Sequence, residues 1–242
     1  IELTPGQSEE TESEKKEIES IVESDGKTSA LVDRLGGLGT YPAFVSYKGS
    51  LRNLLQTASH EWLHNYWILH PLGQNMWDSN QMIMFNETAA NIAGDELGDM
   101  AFESIGGEIE NPIEITEMKE DASYFNKTLK ETRLEVEYLL DKGNVEKAEK
   151  LMNEATIKLQ SKGYKIRKIN QAYFAFHGNY ADSPSATNPI GDELTEYRNY
   201  FGSVGEFIQS ISKIKNYEQF LQMLDEKRSK SYVIIELNNK QL

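Results

Sequence analysis

Five consecutive residues, His60-Glu61-Trp62-Leu63-His64, constrain this chain more than any other stretch. They fall in an apolar run with Leu54, Leu55, Trp67 and Ile68, which reads as a helix over 51–69. Ser50 is placed to cap its start, and His70-Pro71 stops it, because a proline disfavours helical backbone in its predecessor. A helix so apolar belongs in a core, where an unpartnered charge is costly. Positions i and i+4 share one helical face, so His60 and His64 can aim a ring nitrogen at the same ion. The bland alternative is a solvated pair of histidines on an exposed face.

A catalytic zinc takes three protein ligands and a water, so two histidines leave one protein position to fill. A second helical run, Ser79 to Ile105, contains Asn86-Glu87-Thr88-Ala89-Ala90-Asn91. Along it Ala90, Gly94 and Gly98 recur every four residues, a stripe of small residues that lets this helix approach the first closely. Asp95 and Asp99 read as solvated.

An HExxH helix followed by Asn-Glu on a downstream helix resembles the gluzincin metallopeptidases. The resemblance implies Zn²⁺ held by His60, His64 and Glu87. Glu61, adjacent to the first ligand, is then the general base that takes a proton from the zinc-bound water. In that family an aspartate one turn after the ligand glutamate often bonds the first histidine. Asn91 stands there in this chain, able to accept the imidazole N–H but without the charge that raises ligand basicity. A wider resemblance, over about residues 51–224, is to a family of bacterial aminopeptidase-like proteins. They share the order of HExxH helix, Asn-Glu helix, charged hairpin and aromatic helix. It implies a peptide substrate and a zincin-like helical domain.

Elsewhere the pattern predicts a mainly α fold with a minor sheet. Residues 1–20 are acidic and nearly free of large apolar groups, as in a linker or arm, and 21–242 are expected to form a single domain. Tyr41 to Tyr47 is the best strand. Pro42 suits a strand start or a sheet edge, and an edge could hold an extended substrate; a packed connector is the plainer alternative. Residues 116–140 and 145–160 flank the turn Asp141-Lys142-Gly143-Asn144 and read as a helical hairpin with a charged, solvated face. Residues 169–180 form an aromatic helix on which Tyr173, His177 and Tyr180 share a face that Asn170 extends. His177 or Tyr180 would serve as the oxyanion donor that such sites use, and Tyr173 and Asn170 as substrate contacts. A buried aromatic stripe explains the same pattern. His70 reads as a helix-end residue. Helices over 193–207 and 217–227 and a strand over 232–237 complete the chain.

The net charge of −14 opposes a nucleic-acid footprint and docking on anionic lipid. No run of about 18 apolar residues predicts a membrane span. With no cysteine there are neither disulfides nor thiolate ligands. The chain opens on Ile1, as an extracytoplasmic piece of a longer bacterial protein would. The competing reading is a metal-binding zincin-fold module with a structural or regulatory role and no turnover.

Overall fold

Ser50 begins the helix that organises the fold. Its hydroxyl accepts the N–H of Asn53 at 3.1 Å, satisfying one of the amide groups a helix start leaves orphaned. The computed structural model describes residues 2–4, 11–33, 35–46, 49–109, 116–178, 180–181 and 183–239. It is mainly helical with a small sheet, and the chain divides into two compact units where the sequence predicts a single domain after residue 20.

The first unit comprises 1–5, 36–109 and 189–242. Its sheet has β1 (Glu2–Thr4), β2 (Gly37–Leu38) and β3 (Phe44–Ser46) in the order β1-β3-β2. β3 pairs parallel with β1 and antiparallel with β2. The strand expected at an edge is therefore central. Pro42 precedes it, so the proline removes no ladder bond, and the open edge passes to the glycine-rich β2; Tyr47 lies outside the described residues.

α2 (Leu51–Trp67) runs against α4 (Asn80–Ser104), and the short α3 (Pro71–Gln74) joins them. The small-residue stripe lets the two long helices approach. A Cβ added at Gly94 would lie 2.9 Å from the Cα and N of His60. Arg52 clamps the far end, donating 2.7 Å bonds to both oxygens of Asp99. Asp99 is thus bridged between helices rather than solvated.

α8 (Ile190–Arg198) and α9 (Val204–Ile211) replace the expected helix over 193–207. Ser203, just after Gly202, caps α9 through the N–H of Glu206, and this local cap overrides the continuous apolar pattern. α10 (Tyr217–Asn239) extends through the predicted strand at 232–237. A helix already running tolerates the three β-branched residues Val233, Ile234 and Ile235, because their propensity penalty is only some tenths of a kcal/mol each. Trp67, Phe85, Tyr197, Phe207 and Phe220 fill the core, with Phe85 and Phe220 edge to face at 4.8 Å.

The second unit comprises 6–35 and 110–188. The expected hairpin is present as α5 (Thr116–Asp141) and α6 (Val145–Ser161). Gly143 turns it at φ 71°, where its N–H and that of Asn144 reach back to the carbonyls of Leu140 and Leu139. Leu129, Met152 and Leu159 are fully buried between these helices. The acidic arm is not structureless: α1 (Glu12–Val22) starts at a Thr11/Glu14 capping box. It buries Glu19 to 3% exposure, where Arg167 donates at 2.9 Å and the Val32 N–H at 2.7 Å. The arm's acidity thus supplies partners for the basic stretch Arg167-Lys168, with Lys168 on Glu23 at 2.8 Å.

Candidate metal centre

His60 and His64 are one turn apart on the face of α2 that meets α4, and their Nε2 atoms stand 3.0 Å apart. From α4, Glu87 brings Oε2 to 3.4 Å from the first and 3.5 Å from the second. Three donors from two helices therefore converge on one point. With Glu61, whose carboxylate lies within 4.8 Å of both histidine nitrogens, the His60-Glu61-His64 cluster can hold a metal ion.

Electrostatics follow from the burial. Burial pushes the Glu87 carboxyl up, but its bonds to His60 and His64 outweigh that and bring it down to about 2. Burial opposes charge on His64 as well, and Glu87 more than compensates, raising its pKa. Glu61 goes the other way: burial raises it above the ordinary carboxylate value, and the neighbouring Glu87 adds to the rise, against the pull of both histidines. Two carboxylates beside the same pair of histidines are thereby shifted in opposite directions.

The tautomer of His64 is set by Asn86. The amide Nδ2 of Asn86 donates to the Leu72 carbonyl at 3.4 Å, an acceptor that leaves only Oδ1 to face the ring. That oxygen lies 3.0 Å from Nδ1 of His64, so Nδ1 carries the proton and the Nε2 lone pair is free for an ion. The sequence places Asn91, half-buried further along α4, against His60; the partner of the other histidine, Asn86, is a separate residue. The sequence signal for Asn86 was in plain view, in the residue immediately before Glu87.

Glycines cover Glu61. A Cβ on Gly37 would fall 2.7 Å from its Cγ and 2.8 Å from its Cδ, and one on Gly39 would fall 3.2 Å from Oε2 and 3.1 Å from the His64 Cβ. The cluster Gly36-Gly37-Leu38-Gly39 reads in sequence as a breaker; it contains β2, and Gly37 and Gly39 leave room for the carboxylate of Glu61. The Ser46 N–H bonds the Gly36 carbonyl at 2.8 Å. By antiparallel alternation, Gly37, opposite Val45, points its N–H and C=O away from β3, toward the open edge.

Of the remaining predicted residues, Asn170, Tyr173, His177 and Tyr180 belong to the second unit and His70 to the first. Asn170 is buried at 2% exposure and caps α7 (Gln171–His177), accepting the Tyr173 N–H at 2.9 Å and donating to Ala30 at 2.7 Å. Both ends of its amide serve its own backbone. Tyr173 and His177 do share a face, rings 4.3 Å apart, with His177 3.6 Å from Asp33. Burial, aided by Asp33, holds the Tyr173 hydroxyl up at about 12, and burial lowers His177 against the pull of Asp33. Tyr180 lies past the end of α7, since Gly178 closes the helix, so the expected face stops at His177. His70 is the N-cap residue of α3.

No protein-family model, curated protein or solved structure matches this chain. No described helix is long and apolar enough to cross a membrane.

Proposed function

We propose that the chain is a zinc-dependent peptidase of the gluzincin kind, with His60, His64 and Glu87 as ligands and Glu61 as general base. The observation that carries this reading is the donor spacing. Donors bound tetrahedrally at about 2.0–2.1 Å stand about 3.3–3.4 Å from one another. The three separations here are 3.0, 3.4 and 3.5 Å. Two imidazoles and one carboxylate are also a donor set that suits zinc.

Zinc bound there would polarise a peptide carbonyl and lower the pKa of a water ligand to about 7. Glu61, raised in pKa and adjacent to the cluster, takes a proton from the attacking water and delivers it to the leaving amine. Gly37 of β2 rests against Glu61 and aims its N–H and C=O at the open edge, so an extended peptide added there by main-chain hydrogen bonds would run past the base. The aminopeptidase-like preference rests on the resemblance in helix order alone.

The test is a zinc-loaded preparation assayed on a mixed peptide library, with N-terminal release and internal cleavage scored separately, beside Glu61→Gln. Hydrolysis lost in the variant at unchanged zinc content supports the proposal. Stoichiometric zinc without turnover in the wild type favours the structural or regulatory module. Absence of bound zinc at elemental analysis sinks both.

A further inference from the structure

Behind His64 lies a closed ring of contacts within the first unit. Asn86 bonds the histidine and is itself held by the Leu72 carbonyl. Leu72 sits in the four-residue helix α3, too short to bond its own N–H, which goes instead to the carbonyl of Ser212 at 3.2 Å. Ser212 is the residue that ends α9, where carbonyls lack helical partners, so each helix end satisfies the other. The Ser212 hydroxyl also accepts the indole N–H of Trp67 at 3.1 Å while donating to the Ile208 carbonyl at 2.6 Å. Trp67 in turn sets its ring edge-on to that of His64, with centroids 6.5 Å apart.

We propose that Ser212 is a positioning residue for His64. It reaches the ring from two sides: its backbone carbonyl acts through Leu72 and Asn86 on the Nδ1 edge, and its hydroxyl through Trp67 on the flank. Every member is secluded: Trp67 and Leu72 are at 0%, Asn86 at 1% and Ser212 at 2% exposure. Water therefore cannot replace a lost partner cheaply, and a fault at Ser212 is transmitted rather than absorbed. The C-terminal end of α9, remote in sequence from the metal-site helices, thus acts on the direction of one ligand nitrogen. The inference rests on the metal-site reading only for its second readout.

The first readout uses metal-free protein. Long-range ¹H–¹⁵N NMR of the His64 ring, at a pH where the ring is neutral, reports which nitrogen carries the proton. Wild type should show the Nδ1–H tautomer, and Ser212→Ala, which keeps the carbonyl on Leu72 but frees Trp67 and lets the ring tilt off Asn86, a mixture. The second readout is zinc affinity by chelator competition. Outer partners of a ligand histidine are worth about 10–100-fold, so Ser212→Ala should weaken zinc by about tenfold. Ser212→Thr, which keeps the hydroxyl, should restore most of it. Val204→Ala, a core truncation on the same helix outside the ring, should lower stability and move neither readout. Should Ser212→Ala not fold, Trp67→Phe removes the same hydrogen bond from the other side, with the same expectations. A wild-type tautomer and wild-type zinc affinity in the variant overturn the proposal. A wild type that takes no zinc refutes the metal reading, while the tautomer still decides the role of Ser212.

Discussion

Replacing Gly94 with alanine tests whether the α2–α4 crossing is what assembles the donor set. The new Cβ would lie 2.9 Å from the backbone N and Cα of His60 and 3.1 Å from its Cβ. Ordinary carbon contacts need about 3.5–4.0 Å, so the helices must part by something over half an ångström, since no backbone atom can rotate away. Glu87 rides on the same helix and reaches the histidines at 3.4 and 3.5 Å, so the parting opens the donor triangle directly. Overpacking of this kind costs about 1–3 kcal/mol, and alanine's better helix propensity returns about 0.8–1.0 kcal/mol. The net expectation is a loss of up to about 2 kcal/mol in urea unfolding of the metal-free protein. Zinc affinity by chelator competition should fall by about tenfold or more, comparable with the loss of a ligand's supporting contact. Gly98→Ala gives an internal comparison. Its Cβ would strike the backbone of Gln56 harder, but a turn further from Glu87, so it should cost more stability and less affinity. A Gly94→Ala protein as stable as wild type, with unchanged zinc affinity, would refute the reasoning.

Three further outcomes follow from the geometry. Glu61→Gln should leave zinc affinity nearly unchanged and reduce peptide hydrolysis by about 10²–10⁴-fold, the usual contribution of a general base, as measured by initial rates. Gly37→Ala places a methyl against the Glu61 side chain, whose carboxylate must shift by about an ångström; kcat should drop by about 10²-fold while zinc binding holds, separating base from ligands. In the second unit, burial would raise Glu19, but Arg167 and the Val32 N–H outweigh it and hold its pKa below the ordinary 4.5. Its stabilisation is therefore complete above pH 4.5 and fades as pH falls toward the lowered folded value, so urea titrations of Glu19→Gln should show a flatter acid limb than wild type. Equal slopes would remove Glu19 from the account.

The metal cluster was legible because its signals are local or periodic. The i, i+4 histidines need only a helix to converge, and the stripe of Ala90, Gly94 and Gly98 announces a close crossing, which leaves Glu87 Oε2 3.4 Å from His60 Nε2. The hairpin was legible for the same reason, its turn carrying a glycine where φ must be positive. The misread parts depend on partners distant in sequence. Glu19 reads as a solvated acid until Arg167 is beside it, and Asp99 until Arg52 is. Pro42 allowed an edge or a strand start, and it stands just before the start: β3 is central because β1 and β2, from elsewhere in the chain, flank it. Gly37 and Gly39 look like punctuation, since nothing in a one-dimensional pattern says that a carboxylate occupies the place of their missing side chains. At 232–237 the β-branched residues suggested a strand, and the continuing helix outweighed a propensity difference of tenths of a kcal/mol per residue.

The bare edge of β2 has a consequence for selectivity. Where Gly37 faces the base it offers a neighbouring chain only one N–H and one C=O, groups that every peptide unit can match regardless of its residue. Recognition at that rung is blind to the letter being read. If the chain is the proposed peptidase, discrimination among peptides would have to come from walls that touch the substrate's side chains rather than from this rung.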